Sequence, residues 1–358
     1  MIKAILILLF LNFVVPTFAS EREEFYVGIR GLGMGGAQIA TVNDETALLV
    51  NPAGLGKLRN YFLTLADPEI HIGSETQAVI GTNILAPIDP QDILDLMNQP
   101  TNQDKQMHAK LQIFPSAVFP NFGLGIFANY ITNASVDSTT NEFTYRYRSD
   151  LALVFGFNFR FWDGRIKLGF NVRAMNRNEI NRTDIPTTST NLTIKNLTTE
   201  GVAIASDVGA IFTMPWTMLP TLSVVYRDAG GTKYSLRDGL VNGASTEPQK
   251  TDATLDAAFA LFPIAGKRTR VAFTAELRDS LNVAEEEDIN RRVHTGIEFN
   301  FSDVLFVRAG MNQRYWTSGL ELAVGNYQLQ LATYGEDIGG DGTPLEDRRY
   351  VGKFAYRF

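Results

Sequence analysis

Cysteine is absent from the 358 residues, which excludes disulfides and thiolate metal centres. Histidine is almost absent: His71, His108 and His294 are the only three. Hydrolysis needs a nucleophile or an activated water beside a base. His294 should share a strand face with Glu298, but no serine accompanies any of the histidines in a recognisable pattern. No catalytic residue, metal or cofactor is expected. Excess positive charge is missing too. The net charge is −7, which argues against nucleic acid as a partner. Long apolar runs are lacking. The one near the start, Ala4 to Val15, is interrupted by Asn12 and is shorter than the ~20 residues that a spanning helix requires.

What is present is dispersed hydrophobicity. Apolar residues make up 45% of the chain, with 24 Phe and 12 Tyr, and they alternate with polar ones instead of forming blocks. Side chains of a strand point to opposite faces with period two. From Ile166, the residues Leu168, Phe170, Val172 and Ala174 share one face, while Lys167, Asn171 and Arg173 share the other. Val293, Thr295, Ile297, Phe299 and Phe301 likewise oppose His294, Glu298 and Asn300. The run from Phe143 to Phe161 is longer than a bilayer needs. The last residues put Tyr350, Phe354, Tyr356 and Phe358 on one side and Lys353 and Arg357 on the other. An apolar face backed by a polar one suits a wall with lipid outside and a polar interior.

The links between such segments sort by length. Trp162-Asp163, Pro215 to Met218, Pro263 to Lys267, Ser302-Asp303 and Gly325 are short. Thr132 to Glu142, Glu179 to Gly201, Ala229 to Lys250, Asp279 to Asn290 and Gly335 to Arg349 are mostly long, with Arg314-Tyr315 the exception. Short turns at one rim and long loops at the other are the habit of outer-membrane barrels. Working back from the C-terminus gives thirteen strands. One of two candidates, Tyr61 to Ile72 or Glu75 to Leu85, completes an even fourteen. The expected fold is therefore all-β: a transmembrane antiparallel β-barrel of fourteen strands over 61–358. Pro90 to Gln99 reads as a helix capped by Asp89, with Ile93, Leu94 and Met97 on its apolar face. Those three residues are candidates for an apolar ligand groove among the extracellular loops. The acidic run Glu285 to Asp288 reads as a solvated tip, with a divalent cation or lipopolysaccharide contact as the sharper alternative.

The chain begins with Lys3, the short apolar run and Pro16-Thr17-Phe18-Ala19, the pattern of a secretory signal over 1–19. Residues 20–60 fit neither signal nor wall. Gly31-x-Gly33-x-x-Gly36 formally matches a dinucleotide fingerprint. Thr41 to Asp44 would interrupt the required helix, however, and no βαβ unit follows. Asn43 is placed to cap a helix from Asp44 to Val50, and Pro52 to stop it. The Asn51 amide can bond loop backbone at that stop.

The elements Gly31-Leu-Gly33-Met-Gly35-Gly36-Ala37, Ala40 to Asp44 and Asn51-Pro52-Ala53-Gly54-Leu55 resemble the N-terminal plug of the FadL-like outer-membrane proteins. The resemblance implies a plug or hatch at 20–60 inside the lumen, with Gly31, Gly33, Gly35, Gly36, Asp44, Asn51, Pro52 and Ala53 anchoring or gating it. It implies facilitated uptake of small hydrophobic or amphiphilic molecules across the bacterial outer membrane. It also implies that Phe354, Tyr356 and Phe358 form the signal read by the barrel-insertion machinery. Tyr226 to Gly231 and Tyr334 to Gly339 resemble the smaller PorV-like members, whose role implies a non-transporting secretion adaptor with an envelope protein as partner. Membrane lipid and lipopolysaccharide are the remaining expected partners.

By alternation the inward face should carry Arg165, Lys167, Arg173, Arg270, Glu276, Arg278, Glu298, Arg308, Glu321, Lys353 and Arg357. So many charges of both signs imply a salt-bridged interior, since an unmatched buried charge is costly. An anionic head group met by an arginine is the alternative.

Overall fold

The computed structural model describes residues 24–80, 89–236, 246–339 and 343–358. The expected signal over 1–19 lies outside them. Fourteen antiparallel strands close into one barrel. The first two are each interrupted once. Strand β1 consists of Phe62–Ala66 and Glu69–Gly73, and β2 of Gln106–Ile113 and Ser116–Phe119. The others are continuous: β3 Phe122–Asp137, β4 Glu142–Phe161, β5 Ile166–Pro186, β6 Thr199–Thr213, β7 Thr221–Arg227, β8 Thr254–Leu261, β9 Thr269–Leu277, β10 Val293–Phe301, β11 Leu305–Asn312, β12 Tyr315–Val324, β13 Tyr327–Asp337 and β14 Glu346–Arg357. Both pieces of β1 pair with β14, which closes the ring.

Of the two candidates for the closing strand, Tyr61 to Ile72 takes the place. Thr76–Ile80 is a short helix, α3, and 81–85 lies outside the described residues. A strand running from Glu75 would need Thr76 on the ladder. Its hydroxyl instead donates to the His108 carbonyl and accepts from the His108 amide.

Alternation fixes which face meets lipid. Leu124, Ile126, Leu151, Leu153, Phe155, Leu168, Phe170, Val172, Leu320 and Leu331 are exposed on the outside. Burying such an apolar band in hydrocarbon, with no free strand edge, is the solution open to a spanning β protein. Aromatic side chains gather at the short-turn rim: Tyr61 beside Phe119, Trp162 stacked on Phe212, and Tyr327 against Tyr356, which meets Phe358. This is the interfacial girdle expected of amphipathic rings.

Strands β3, β4 and β5 rise above this band, with 16, 20 and 21 residues. The long loop expected at 132–142 is mostly strand, and the one expected at 179–201 is strand at both ends. Only 138–141 and 187–198 connect them. Their raised outer face carries Ala134, Val136, Phe143, Tyr145, Tyr147 and Ile180, which would be stranded in water. The helix α4, Pro90–Met97, lies over them. Asp89 caps it by accepting from the Gln91 amide at 3.1 Å. Ile93, Leu94 and Met97 are at most 1% exposed, and they pack with Val79 of α3 into a satellite core. These three residues serve as the underside of a cap on the outer wall and line no open groove.

Candidate functional site: the filled lumen and the break in the wall

Residues 24–58 run among the inward-facing side chains. A short helix α1, Ile29–Gly33, is followed by a turn in which Gly35 and Gly36 have φ of +68° and +86°. A side chain at Gly35 would overlap the Thr295 and Met311 carbonyl oxygens. Backbone therefore lies directly on backbone here, a conformation and an approach that suit glycine. The Gly35 amide donates to Thr317 Oγ1 at 2.9 Å, and its carbonyl accepts from His294 Nδ1 at 2.9 Å. His294 is thereby a fastening for the segment. Gly33 packs on Gly319 of β12, and Gly31 packs on Gln38 within the segment itself.

Helix α2, Ala47–Val50, starts later than Asn43 would place it. Asp44 makes the turn before it, accepting from the Thr46 amide at 3.0 Å and from its hydroxyl at 2.5 Å. Asn43 instead accepts from Arg30 Nη1. The shorter Asp44 to Thr46 reach satisfies the loose amide, so the asparagine is free for the arginine. Asn51 is fully buried. Its Nδ2 donates to the Ile39 carbonyl at 2.8 Å and to Ser223 Oγ at 2.9 Å, and its Oδ1 accepts from the Ala53 amide at 3.0 Å. Pro52 opens a 3-10 turn, Pro52–Lys57. The Ala53 carbonyl accepts from Asn158 Nδ2.

The inner wall answers the segment with charge. Arg30 grips Glu298 with two bonds of 2.9 Å and reaches Asp44 at 2.9 Å. Glu298 also accepts from Arg308 at 2.7 Å, and Arg308 continues to Glu321. Glu276 accepts from the amides of Gln38 and Ile39 at 2.8 and 3.0 Å. Arg278 meets Glu24 at 3.0 Å and donates to the Gly36 carbonyl at 2.7 Å. Arg173 is shared by Asp207 and Asp228, under the Phe25 ring. Arg357 pairs with Glu45 at 2.7 Å. Lys167 bonds the Gly164 carbonyl. Of the residues expected inside, Arg165 and Arg270 are misplaced. Arg165 belongs to the turn before β5 and sits over the Trp162 ring, and Arg270 is 74% exposed beside Asp303. Both flank short turns, where alternation carries a side chain out of the rim into water.

Lys57, which is part of no strand, reaches the Ala40 carbonyl at 2.6 Å and lies over the Phe262 ring. Burial first, then the charges of Lys167 and Arg30, push its ammonium down to about 7.

The two strand interruptions lie side by side. Asp67-Pro68 breaks β1 between its pairings with the two halves of β14, and Phe114-Pro115 breaks β2. Below the break Leu63 opposes Ala117; above it Glu69 opposes Gln112. Proline supplies no ladder donor, so strands yield at it. Side chains bridge the gap. The Phe114 amide donates to Asp67 Oδ1 at 2.6 Å, and Asp67 Oδ2 holds Lys353 of β14 at 2.9 Å. Phe25, Tyr26, Phe114 and Phe127 cluster just inside. A bridge of this kind between adjoining strands was missed by periodicity, although two prolines within strand patterns were its signal.

Three of the solved structures that resemble this barrel show the likeness along nearly its whole length. They are the toluene transporter TbuX of Ralstonia pickettii (TM-score 0.53, 12% identity, 93% of this chain and 98% of that one), the toluene transporter TodX of P. putida (0.52, 12%, 92% and 97%) and the CymD monoaromatic hydrocarbon channel (0.52, 10%, 92% and 97%). The barrel fold is shared with these three structures. No family model matches the sequence, and no curated protein matches it. At 10–12% identity the likeness lies in the fold alone.

Proposed function

We propose that this FadL-like barrel is an outer-membrane channel for small hydrophobic or amphiphilic molecules, in which residues 24–58 are the plug. The observation that carries the reading is the pairing of a filled lumen with a broken wall. Arg30, Asn51 and Gly35 fasten the segment to strands on several sides of the barrel. The one place among the described residues where both of two adjoining strands are interrupted lies beside the aromatic cluster at Phe25 and Tyr26. A solute entering among the long loops meets these rings and is passed outward between β1 and β2 into the bilayer. That route needs only the Asp67 latch and the short pairing of residues 62–64 with 116–118 below it to part, whereas a path straight through must unseat the segment. The neighbours are described as toluene transporters and as a monoaromatic hydrocarbon channel, which supports a substrate of this class.

Uptake of toluene by cells producing the protein, measured against the empty host, tests the reading; equal rates would reject it. The route has its own test. Leu63 and Ala117 are direct cross-strand partners, close enough for a disulfide, and the native chain has no competing cysteine. Leu63→Cys with Ala117→Cys should slow uptake when oxidised and regain it on reduction. An oxidised pair that transports at the reduced rate rules out exit through the seam.

The adaptor reading rests on the raised strands β3 to β5 and their helical cap, a folded platform above the rim. It predicts co-purification with another envelope protein in mild detergent and no uptake.

A further inference from the structure

Just above the wall break, one level of the inner face is polar across four adjoining strands. Lys353 opposes Glu69, Glu69 opposes Gln112, and Gln112 opposes Asn129. Directly opposite residues on one face are close neighbours. Gln112 is 2% exposed, yet neither its Nε2 nor its Oε1 has a hydrogen-bond partner among the described residues. Glu69 gives Oε1 to His71 at 2.9 Å, and its Oε2 faces the Lys353 ammonium at 3.9 Å without a hydrogen bond. Asn129 Nδ2 and the Tyr26 hydroxyl are buried and equally without one. Tyr26 packs edge-on against Phe127 at 5.5 Å and lies 6.4 Å from Phe114, ring centre to ring centre. Both phenylalanines are two residues along from members of the polar row. The next level up, His71, Lys110 and Ile131, lines a mostly polar cavity of about 60 Å³ that Arg278 and Arg349 also border.

Buried polar groups in proteins are almost always satisfied. Gln112 and Tyr26, with no side-chain hydrogen bond, and the spare atoms Glu69 Oε2 and Asn129 Nδ2 lie on one shelf, under a cavity and beside an aromatic cluster, and mark a place that a polar group from outside the protein fills. The set has amide donors in Gln112 and Asn129, a hydroxyl in Tyr26, and acceptors in Gln112 Oε1 and Glu69 Oε2. A neutral hydroxyl matches it: its proton goes to the Glu69 carboxylate, and its oxygen accepts from an amide. A carboxylate matches it less well, because it would face Glu69, and the one cation of the row, Lys353, is already held by Asp67 at 2.9 Å and Glu69 at 3.9 Å.

We infer that the shelf formed by Tyr26, Glu69, Gln112 and Asn129 selects neutral hydroxylated aromatics over both plain hydrocarbons and aromatic acids on the way to the seam. This rests on the channel reading and names its substrate class. The test is equilibrium binding of p-cresol, toluene and p-toluate to the purified full-length protein in detergent, followed by ligand-observed NMR. One recovered hydrogen bond is worth about tenfold in affinity, so p-cresol should bind about tenfold more tightly than either of the others. Gln112→Leu and Tyr26→Phe, each verified as folded by its heat-modifiable gel mobility, should bring the cresol-to-toluene ratio close to one. A wild-type ratio near one, or a ratio unchanged in both variants, overturns the inference and means that the shelf holds water alone. Toluene uptake by cells without any cresol preference in binding removes the shelf's role and leaves the channel standing. A cresol preference in a protein that transports nothing upholds the shelf and removes the channel.

Discussion

Gly35 and Lys57 show how single residues set the grip of the N-terminal segment. At Gly35 a positive φ and the wall carbonyls leave no room for Cβ. Gly35→Ala should weaken the segment's seat by ~1–3 kcal/mol, and limited proteolysis should then cut within 24–58 while the barrel keeps its heat-modifiable mobility. Lys57 has a folded-state value of about 7, depressed by burial and neighbouring cations, against about 10.4 when solvated. The released segment therefore binds more protons than the seated one between these values. Seating strengthens as pH rises from about 7 to about 10.4 and is flat below. Lys57→Met removes the titration, so its stabilising effect on the seated segment should be greatest at and below pH 7 and fade towards pH 10. Protease protection measured across that range checks the sign. Asn51 was legible in the sequence as a group bonding backbone at a helix stop, since asparagine before proline has that use. Its second partner, Ser223, was not legible, because it lies 172 positions away.

Among the elements, the broken strand pair and the capped extension matter most. Asp67→Ala removes the acceptor for the Phe114 amide and the partner of a buried Lys353. Loss of one member of a buried pair costs ~3–5 kcal/mol, and here the loss falls on the seam. Amide hydrogen exchange at 113–118 should accelerate strongly, with β10 to β12 unchanged. Leu94→Asp should detach α4 from the outer face of β3 to β5, exposing 89–105 to protease without loosening the barrel. Alternation placed Phe143, Tyr145 and Tyr147 on the same face as Leu151 and Leu153, as the strand has it. Which part of that face meets lipid and which lies under a helix depends on height above the membrane, and a period-two pattern carries no height.

For the whole molecule, the wall and the segment are mutually dependent. Glu298, Arg308 and Glu321 form one network completed by Arg30, and Glu276 with Arg278 forms a second completed by the amides of Gln38 and Ile39. Deletion of 24–58 should leave a barrel that still resists detergent but melts at lower temperature. In planar bilayers it should give larger and steadier currents than the full chain. Currents equal to the parent would show that the segment does not occlude the pore.

The alternation of side chains, the sorting of link lengths and the need for an even strand number determined a fourteen-stranded barrel with lipid outside, because a closed sheet in hydrocarbon must satisfy its backbone within itself. Gly35 and Gly36 were marked by the resemblance of their segment to a plug, and Asn51 by the habit of asparagine of bonding nearby backbone. Only the tertiary structure decided that Pro68 and Pro115 stand side by side, that α4 covers the outer wall, and that Glu69, Gln112 and Asn129 form one level. Each of these is a matter of register between strands distant in sequence, and register is set by packing around the closed ring.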